Sequence, residues 1–167
     1  MNPGTISIVA LATLAAWSDI RTRRIPNALT FTGFVVALAL RALGGFDEIT
    51  AGLLGALLAF GLSLPLFLVR GLGAGDVKLL TACGAFLGPR RLLSAVLITA
   101  IVGGLMAMIA IVQRGALRQT LRNCREIVLA LFSSARRADV QTLSSPGAIT
   151  VPYGVAIAIG AVAAWFI

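Results

Sequence analysis

Six apolar runs separated by short connectors fill most of this chain, at about residues 5–17, 28–43, 49–69, 77–87, 92–112 and 149–167. A crossing of a hydrocarbon layer about 30 Å thick takes about 20 residues, so six crossings leave little chain for anything else. Charged residues make up 12% of the sequence, against about 25% in an ordinary soluble domain. The expected fold is an all-α polytopic membrane protein with about six transmembrane helices, forming one transmembrane domain over residues 1–167. The first and fourth runs are short. They are expected to extend through Asn2–Gly4 and Gly73–Gly75, or to sit in thinned or protein-shielded positions. No basic residue precedes the first run and Arg21 follows it, the reverse of a cleavable signal, so it is read as a retained span.

The net charge of +8 follows the same segmentation. The first, third and fifth connectors hold Arg21, Arg23, Arg24, Arg70, Lys78, Arg114, Arg118, Arg122, Arg125, Arg136 and Arg137, eleven basic residues. The other side holds Arg41, Arg90 and Arg91, with the Arg90–Arg91 pair as a local dissent. This bias places the odd connectors in the cytoplasm and both termini outside. It also explains the charge without a nucleic-acid partner, and none is expected; the partner of the basic face is membrane lipid.

The connectors differ in character. In the first, Pro26 biases its predecessor away from helix, and Asn27 is expected to cap the second span. The second is a short acidic outer turn. The fifth, residues 113–148, is the longest. Arg114, Arg118, Arg122 and Arg125 share one helical face, and Leu117, Leu121, Cys124, Val128 and Leu131 another, which predicts an amphipathic helix in the cytoplasmic interface. The polar stretch 133–147 reads as a loop or a lid. Pro152 is compatible with the first turn of the last span, and Tyr153 reads foremost as an interface anchor. Ala51, Gly55 and Ala59 in the third span, and Ala156, Gly160 and Ala164 in the last, are spaced for close helix packing. Cys83 and Cys124 stand apart and the chain has no histidine, so neither a zinc site nor any other metal or cofactor is expected. Gly71, Gly73 and Gly75 lack the full pattern of a nucleotide-binding loop.

Six acids remain to be placed. Asp47 and Glu48 lie outside, Glu126 belongs to the arginine-rich helix, and Asp139 lies in the polar stretch. Asp19 and Asp76 stand at span boundaries on one common side, where a carboxylate at mid-membrane would cost about 2.5–3.5 kcal/mol and less near the interface. Two carboxylates held together can hydrolyse a peptide bond: one stays protonated, the other deprotonates a water between them. Plainer readings coexist with that one. Asp76 can be a helix N-cap with Gly73–Gly75 as a tight turn, Asp19 can pair with Arg23, and intramembrane acids also serve transporters and structural subunits. Lys78, two residues after Asp76, points away from it on a helix and suits snorkelling or bracing of the turn.

The motifs narrow this. Gly73-Ala74-Gly75-Asp76-Val77-Lys78, the stretch Asp19-Ile20-Arg21 through Ile25-Pro26-Asn27, and Pro152-Tyr153-Gly154 together resemble the type IV prepilin peptidase family of GxGD aspartic peptidases. The size is similar to the short form found with Flp/Tad-type pilus assembly. The resemblance implies Asp19 and Asp76 as the catalytic pair, supported by Gly73, Gly75, Lys78, Pro26, Asn27, Pro152, Tyr153 and Gly154. It implies cleavage of a basic leader from a prepilin or pseudopilin at the cytoplasmic face of a bacterial inner membrane. Longer members carry paired CxxC motifs and methylate the new terminus. The isolated cysteines here imply cleavage without a methyl-donor cofactor.

Overall fold

The computed structural model describes residues 2–69, 71–113 and 151–167. They belong to two compact units, Met1–Gly103 with Pro152–Ile167, and Gly104–Val151. Five helices make up the described residues, with no strand among them: α1 (Pro3–Thr22), α2 (Asn27–Ala42), α3 (Phe46–Leu68), α4 (Ala74–Gln113) and α5 (Tyr153–Phe166). The amphipathic helix and the polar stretch expected between α4 and α5 lie outside the described residues.

The chain is an all-α membrane protein. By length and composition α1, α3 and α4 are apolar enough to cross a bilayer, and α2 and α5 are shorter apolar helices. Large side chains such as Phe31, Leu57 and Leu97 stand exposed on the helix surfaces, as lipid contact demands. α4 departs from expectation by joining the fourth and fifth apolar runs. Its 40 residues, straight, would be about 60 Å long, twice the hydrocarbon thickness. It is not straight. Gly88 has φ 72° and ψ 173°, a conformation strongly unfavourable with a Cβ, and Pro89 follows it. The helix therefore breaks where the sequence separates the two runs. The break is capped from α2: Arg41 donates to the carbonyls of Ala85 and Phe86, each at 2.8 Å, and pairs with Glu48 at the start of α3. The acidic second connector is thus more than a turn. It holds the counter-ion of a side chain that reaches into the bundle.

The core is built mostly from small residues. Ala12, Ala15, Ala37, Ala59, Ala85, Ala95 and Ala161 are buried around Ile8, Leu79, Leu92 and Ile157. In lipid, close backbone approach supplies contact that burial from water supplies elsewhere. The two small-residue faces behave as their spacing implies. A Cβ on Gly55 would overlap the carbonyl of Gly84, and one on Gly160 would overlap Thr99 and the carbonyl of Ala95. Cys83 is buried in the same core. The end of the bundle carrying the second connector also receives the two termini. Trp165 donates to Thr5 Oγ1 at 2.9 Å, and Arg91 lies 5.7 Å from its ring centre, which accounts for one of the two dissenting arginines.

Candidate active site

At the other end, the close of α1 meets the starts of α2, α4 and α5. Asp19 sits in the last turn of α1. Arg23 closes that helix in the left-handed region at φ 53°, its N–H donating to the Asp19 carbonyl at 3.0 Å. Ser18 Oγ and Thr22 Oγ1 both donate to the Arg24 carbonyl, at 2.7 and 3.1 Å, and turn the chain sharply back. Ile25 is thereby buried, and a Cβ on Gly75 would lie 3.3 Å from it. This contact sets the first connector directly on the glycine-rich turn that opens α4.

Asp76 is the third residue of α4. Its Oδ2 accepts from the Gly73 N–H at 3.2 Å, the reach-back half of a capping box. Asp76 is thus not the cap residue of the plainer reading: α4 starts at Ala74, Gly73 takes the cap position, and the reach-back bond fixes the carboxylate at the mouth of the helix. Asp19 is held differently. Its side chain is 6% exposed, and its Oδ2 accepts from the Gly154 N–H at 2.8 Å. Gly154 is the second residue of α5, so this N–H has no carbonyl within its own helix, and the helix dipole there favours negative charge. A Cβ on Gly154 would come within 2.9 Å of the same oxygen.

The charge of Asp19 reaches Asp76, and that of Arg23 reaches Asp19. Tyr153 lies within the field of Asp76. It is half-buried with its ring against Gly103, so it is a packed part of this end rather than a free interface anchor. Lys78 turns away from Asp76, as its spacing implies, and donates to Asn27 Oδ1 at 2.9 Å. That bond corrects the expected role of Asn27. Pro26, in extended conformation, takes the cap position of α2, and no side chain caps that helix. Asn27 is the first helical residue, and its amide braces α4. Pro152 likewise precedes α5 as its cap residue rather than opening its first turn.

The structure therefore brings Asp19, Asp76, Gly73, Gly75, Lys78, Pro26, Asn27, Pro152, Tyr153 and Gly154 to one end of the bundle. Sequence reasoning missed the Gly154 amide as the partner of Asp19. The place of Gly154 just after Pro152, at the start of an apolar run, was the available signal. It also missed an open apolar groove of about 530 Å³ walled by α2, α3 and the first turns of α4, whose lining includes neither acid. Two carboxylates at helix mouths, one on a buried amide and one on a capping amide, can share and activate a water between them.

Comparison with known proteins agrees with the motifs. Residues 6–108 match the type IV leader peptidase family. A prepilin leader peptidase/N-methyltransferase of Burkholderia pseudomallei is 33% identical over 112 residues, covering 60% of this chain and 34% of its own length. One of Bacillus subtilis is 30% identical over 119 residues, covering 70% of this chain and 48% of its own. The match thus spans between about a third and a half of these relatives' length. No solved structure matches the chain.

Proposed function

The chain belongs to the type IV leader peptidase family, and from that premise we propose that it is an aspartic endopeptidase. It removes the basic leader from prepilins or pseudopilins, with Asp19 and Asp76 as the catalytic pair. The observation that carries the proposal is that two separate helix ends, the close of α1 and the start of α4, bring these acids to one end of the bundle, where each accepts a backbone N–H. The charged partner takes a proton from the bridging water. The resulting hydroxide attacks the scissile carbonyl, while the neutral partner gives its proton to the carbonyl oxygen. Collapse of the tetrahedral intermediate breaks the C–N bond, and the amine leaves with a proton from the pair.

The proposal extends to topology. It takes the chain to cross six times, counting α4 as two segments around Gly88, with this end at the cytoplasmic face of the inner membrane; the arginine bias of the odd connectors supports that side. A basic leader then approaches two acids. Flp-type pilins are the proposed substrates, by the short-form resemblance. Cleavage is proposed without N-methylation, because Cys83 and Cys124 stand singly in these 167 residues.

Leader removal from a co-expressed prepilin, followed by gel mobility and by the mass of the mature terminus, tests this. Asp19→Asn and Asp76→Asn each abolish processing while the protein stays in the membrane fraction at the parental level. Processing that persists in either variant removes that residue from the pair, and a methylated product removes the second extension.

A further inference from the structure

Among the described residues, one buried side-chain polar atom has no hydrogen bond: Thr99 Oγ1, on the half of α4 that follows Gly88. Other hydroxyls on the helices of this chain donate to the carbonyl four residues back, Thr13 to Val9 at 2.7 Å, Ser63 to Ala59 at 2.8 Å and Thr81 to Val77 at 2.8 Å. Thr99 makes no such bond to Ala95, and a buried hydroxyl without a partner costs stability. What it faces instead is α5. The Cα–H of Gly160 that a Cβ would replace points at Thr99 Oγ1 and at the Ala95 carbonyl oxygen, which would lie 2.6 Å from such a Cβ. C–H···O contacts of this kind recur where two helices pack closely. Four residues further along α4, Gly103 makes the matching contact: a Cβ there would lie 2.6 Å from Tyr153 Cε2 and 3.1 Å from Cζ. Ala95, Thr99 and Gly103 recur at i+4 and share one face of α4. Gly160 and Tyr153 are seven residues apart and share one face of α5, about 10 Å along it. The two helices thus run antiparallel along a seam that ends at Tyr153.

The residue after Tyr153 is Gly154, whose N–H donates to Asp19 Oδ2 at 2.8 Å. We propose that Thr99 and Gly103 are positioning residues for the catalytic pair: they fix how far α5 slides along α4, and so where the Gly154 amide meets Asp19. The inference rests on the peptidase reading above. Neither residue is hydrogen-bonded to an acid, and both act through α5. The seam has little slack. An N–H···O bond weakens beyond about 3.2 Å, so a displacement of about 0.5 Å along the bond takes the Gly154 amide out of range. Gly103→Ala exceeds that, because the Tyr153 ring must retreat by about 0.8 Å to reach ordinary contact at 3.4 Å. Thr99→Val sets a methyl group against Gly160 where only an oxygen fits, and threonine and valine are not packing equivalents. Thr99→Ser keeps the oxygen.

The sequence supplies the probe. Tyr153 is the only tyrosine in the chain, so tyrosine labelled at its carbonyl carbon, with glycine labelled at nitrogen, gives one carbon-coupled amide signal in the NMR spectrum. That signal is the Gly154 N–H on Asp19. Asp19→Ala removes the acceptor and defines how the signal moves when the bond is lost. In the full chain in nanodiscs, Gly103→Ala and Thr99→Val move it in the same direction. Each lowers kcat for leader removal about tenfold, as a misplacement of just under 1 Å does, and leaves KM within about twofold. Thr99→Ser, and Gly61→Ala, where a Cβ meets nothing within 4 Å, keep the parental signal and kcat. Thermal unfolding is followed in parallel, and the Thr99 variants decide the matter if Gly103→Ala does not fold. A Gly154 signal that stays in place in Thr99→Val overturns the proposal, as does a raised KM at unchanged kcat, or a Thr99→Ser variant that behaves like Thr99→Val. The signal reads the Asp19–Gly154 bond without turnover, so the two readings fail separately. Cleavage that persists in Asp19→Asn sinks the catalytic pair whatever the signal does, and an unmoved signal with cleavage abolished in Asp19→Asn sinks only the role of Thr99 and Gly103.

Discussion

Gly154→Ala adds one methyl group at a place where its neighbours are known. The new Cβ would lie 2.9 Å from Asp19 Oδ2 and 3.1 Å from both Cβ and Cγ of Asp19. Ordinary contacts begin at 3.4 Å. The Asp19 side chain or the first turn of α5 must therefore move by about half an ångström, and the 2.8 Å bond to the Gly154 amide bends or breaks. The backbone itself has no objection, because alanine in a helix gains about 0.5–1 kcal/mol over glycine. Overpacking in a tight site costs about 1–3 kcal/mol, so folding changes little in net terms. Catalysis is the more sensitive quantity. A misplacement of 1 Å costs about a hundredfold in rate, so half of that costs about tenfold. The assay is the initial rate of leader removal by the purified chain in liposomes, with thermal unfolding measured in parallel. Gly61→Ala on α3, where a Cβ meets nothing within 4 Å, is the control and keeps its rate within about twofold. A Gly154→Ala rate within threefold of the parent, at equal stability, would show that α5 does not position Asp19.

Two further perturbations probe the frame around the pair. Asn27→Ala and Lys78→Met each lower the rate of leader removal, and a double-mutant cycle on unfolding gives a coupling of about 0.5–1.5 kcal/mol, that of one hydrogen bond; no coupling would mean the 2.9 Å contact holds nothing. Arg41→Met bares the carbonyls of Ala85 and Phe86 and leaves Glu48 unpaired, so it lowers stability by about 3 kcal/mol in a denaturation series, and Arg41→Lys restores less than half, because an ammonium cannot span both carbonyls and the carboxylate.

What the sequence disclosed and what it hid divide along physical lines. The helices were legible because hydrophobic runs in lipid have few alternatives, and the packing faces because alanine and glycine at i+4 spacing are read directly. Asp19 and Asp76 stood out because a carboxylate at a span boundary needs a reason. The roles of Asn27 and Arg41 were not legible. Asn27 sits where a capping residue belongs, but the adjacent proline already occupies that position, which frees the amide for Lys78, 51 residues away. Arg41 counted as one outer charge in a topology argument. Its actual work, capping a helix broken 47 residues later, depends on a tertiary contact that no local pattern encodes. The groove was hidden for the same reason, since its aromatic walls come from two helices and its floor from a third.

The placement of the acids answers a difficulty that any hydrolytic reading of a membrane chain must meet, which is the supply of water. Asp76 is the third residue of its helix, and Asp19 lies three residues before the end of its own. At 1.5 Å per residue both are within about 5 Å of the helix ends, the depth at which headgroup water reaches without a channel. On the proposed reading the peptide bond to be cut must come to that depth. A pair placed two turns deeper would need a polar conduit through a core that is here alanine, leucine and isoleucine. The same shallow position explains why helix ends, rather than the middles of the helices, fix the site. Ile25 against Gly75, Asn27 on Lys78 and Asp19 on Gly154 each tie a helix end to another helix end. Loosening any one of them is therefore expected to disturb catalysis before it disturbs the bundle, whose opposite end is held separately by Arg41 and Trp165.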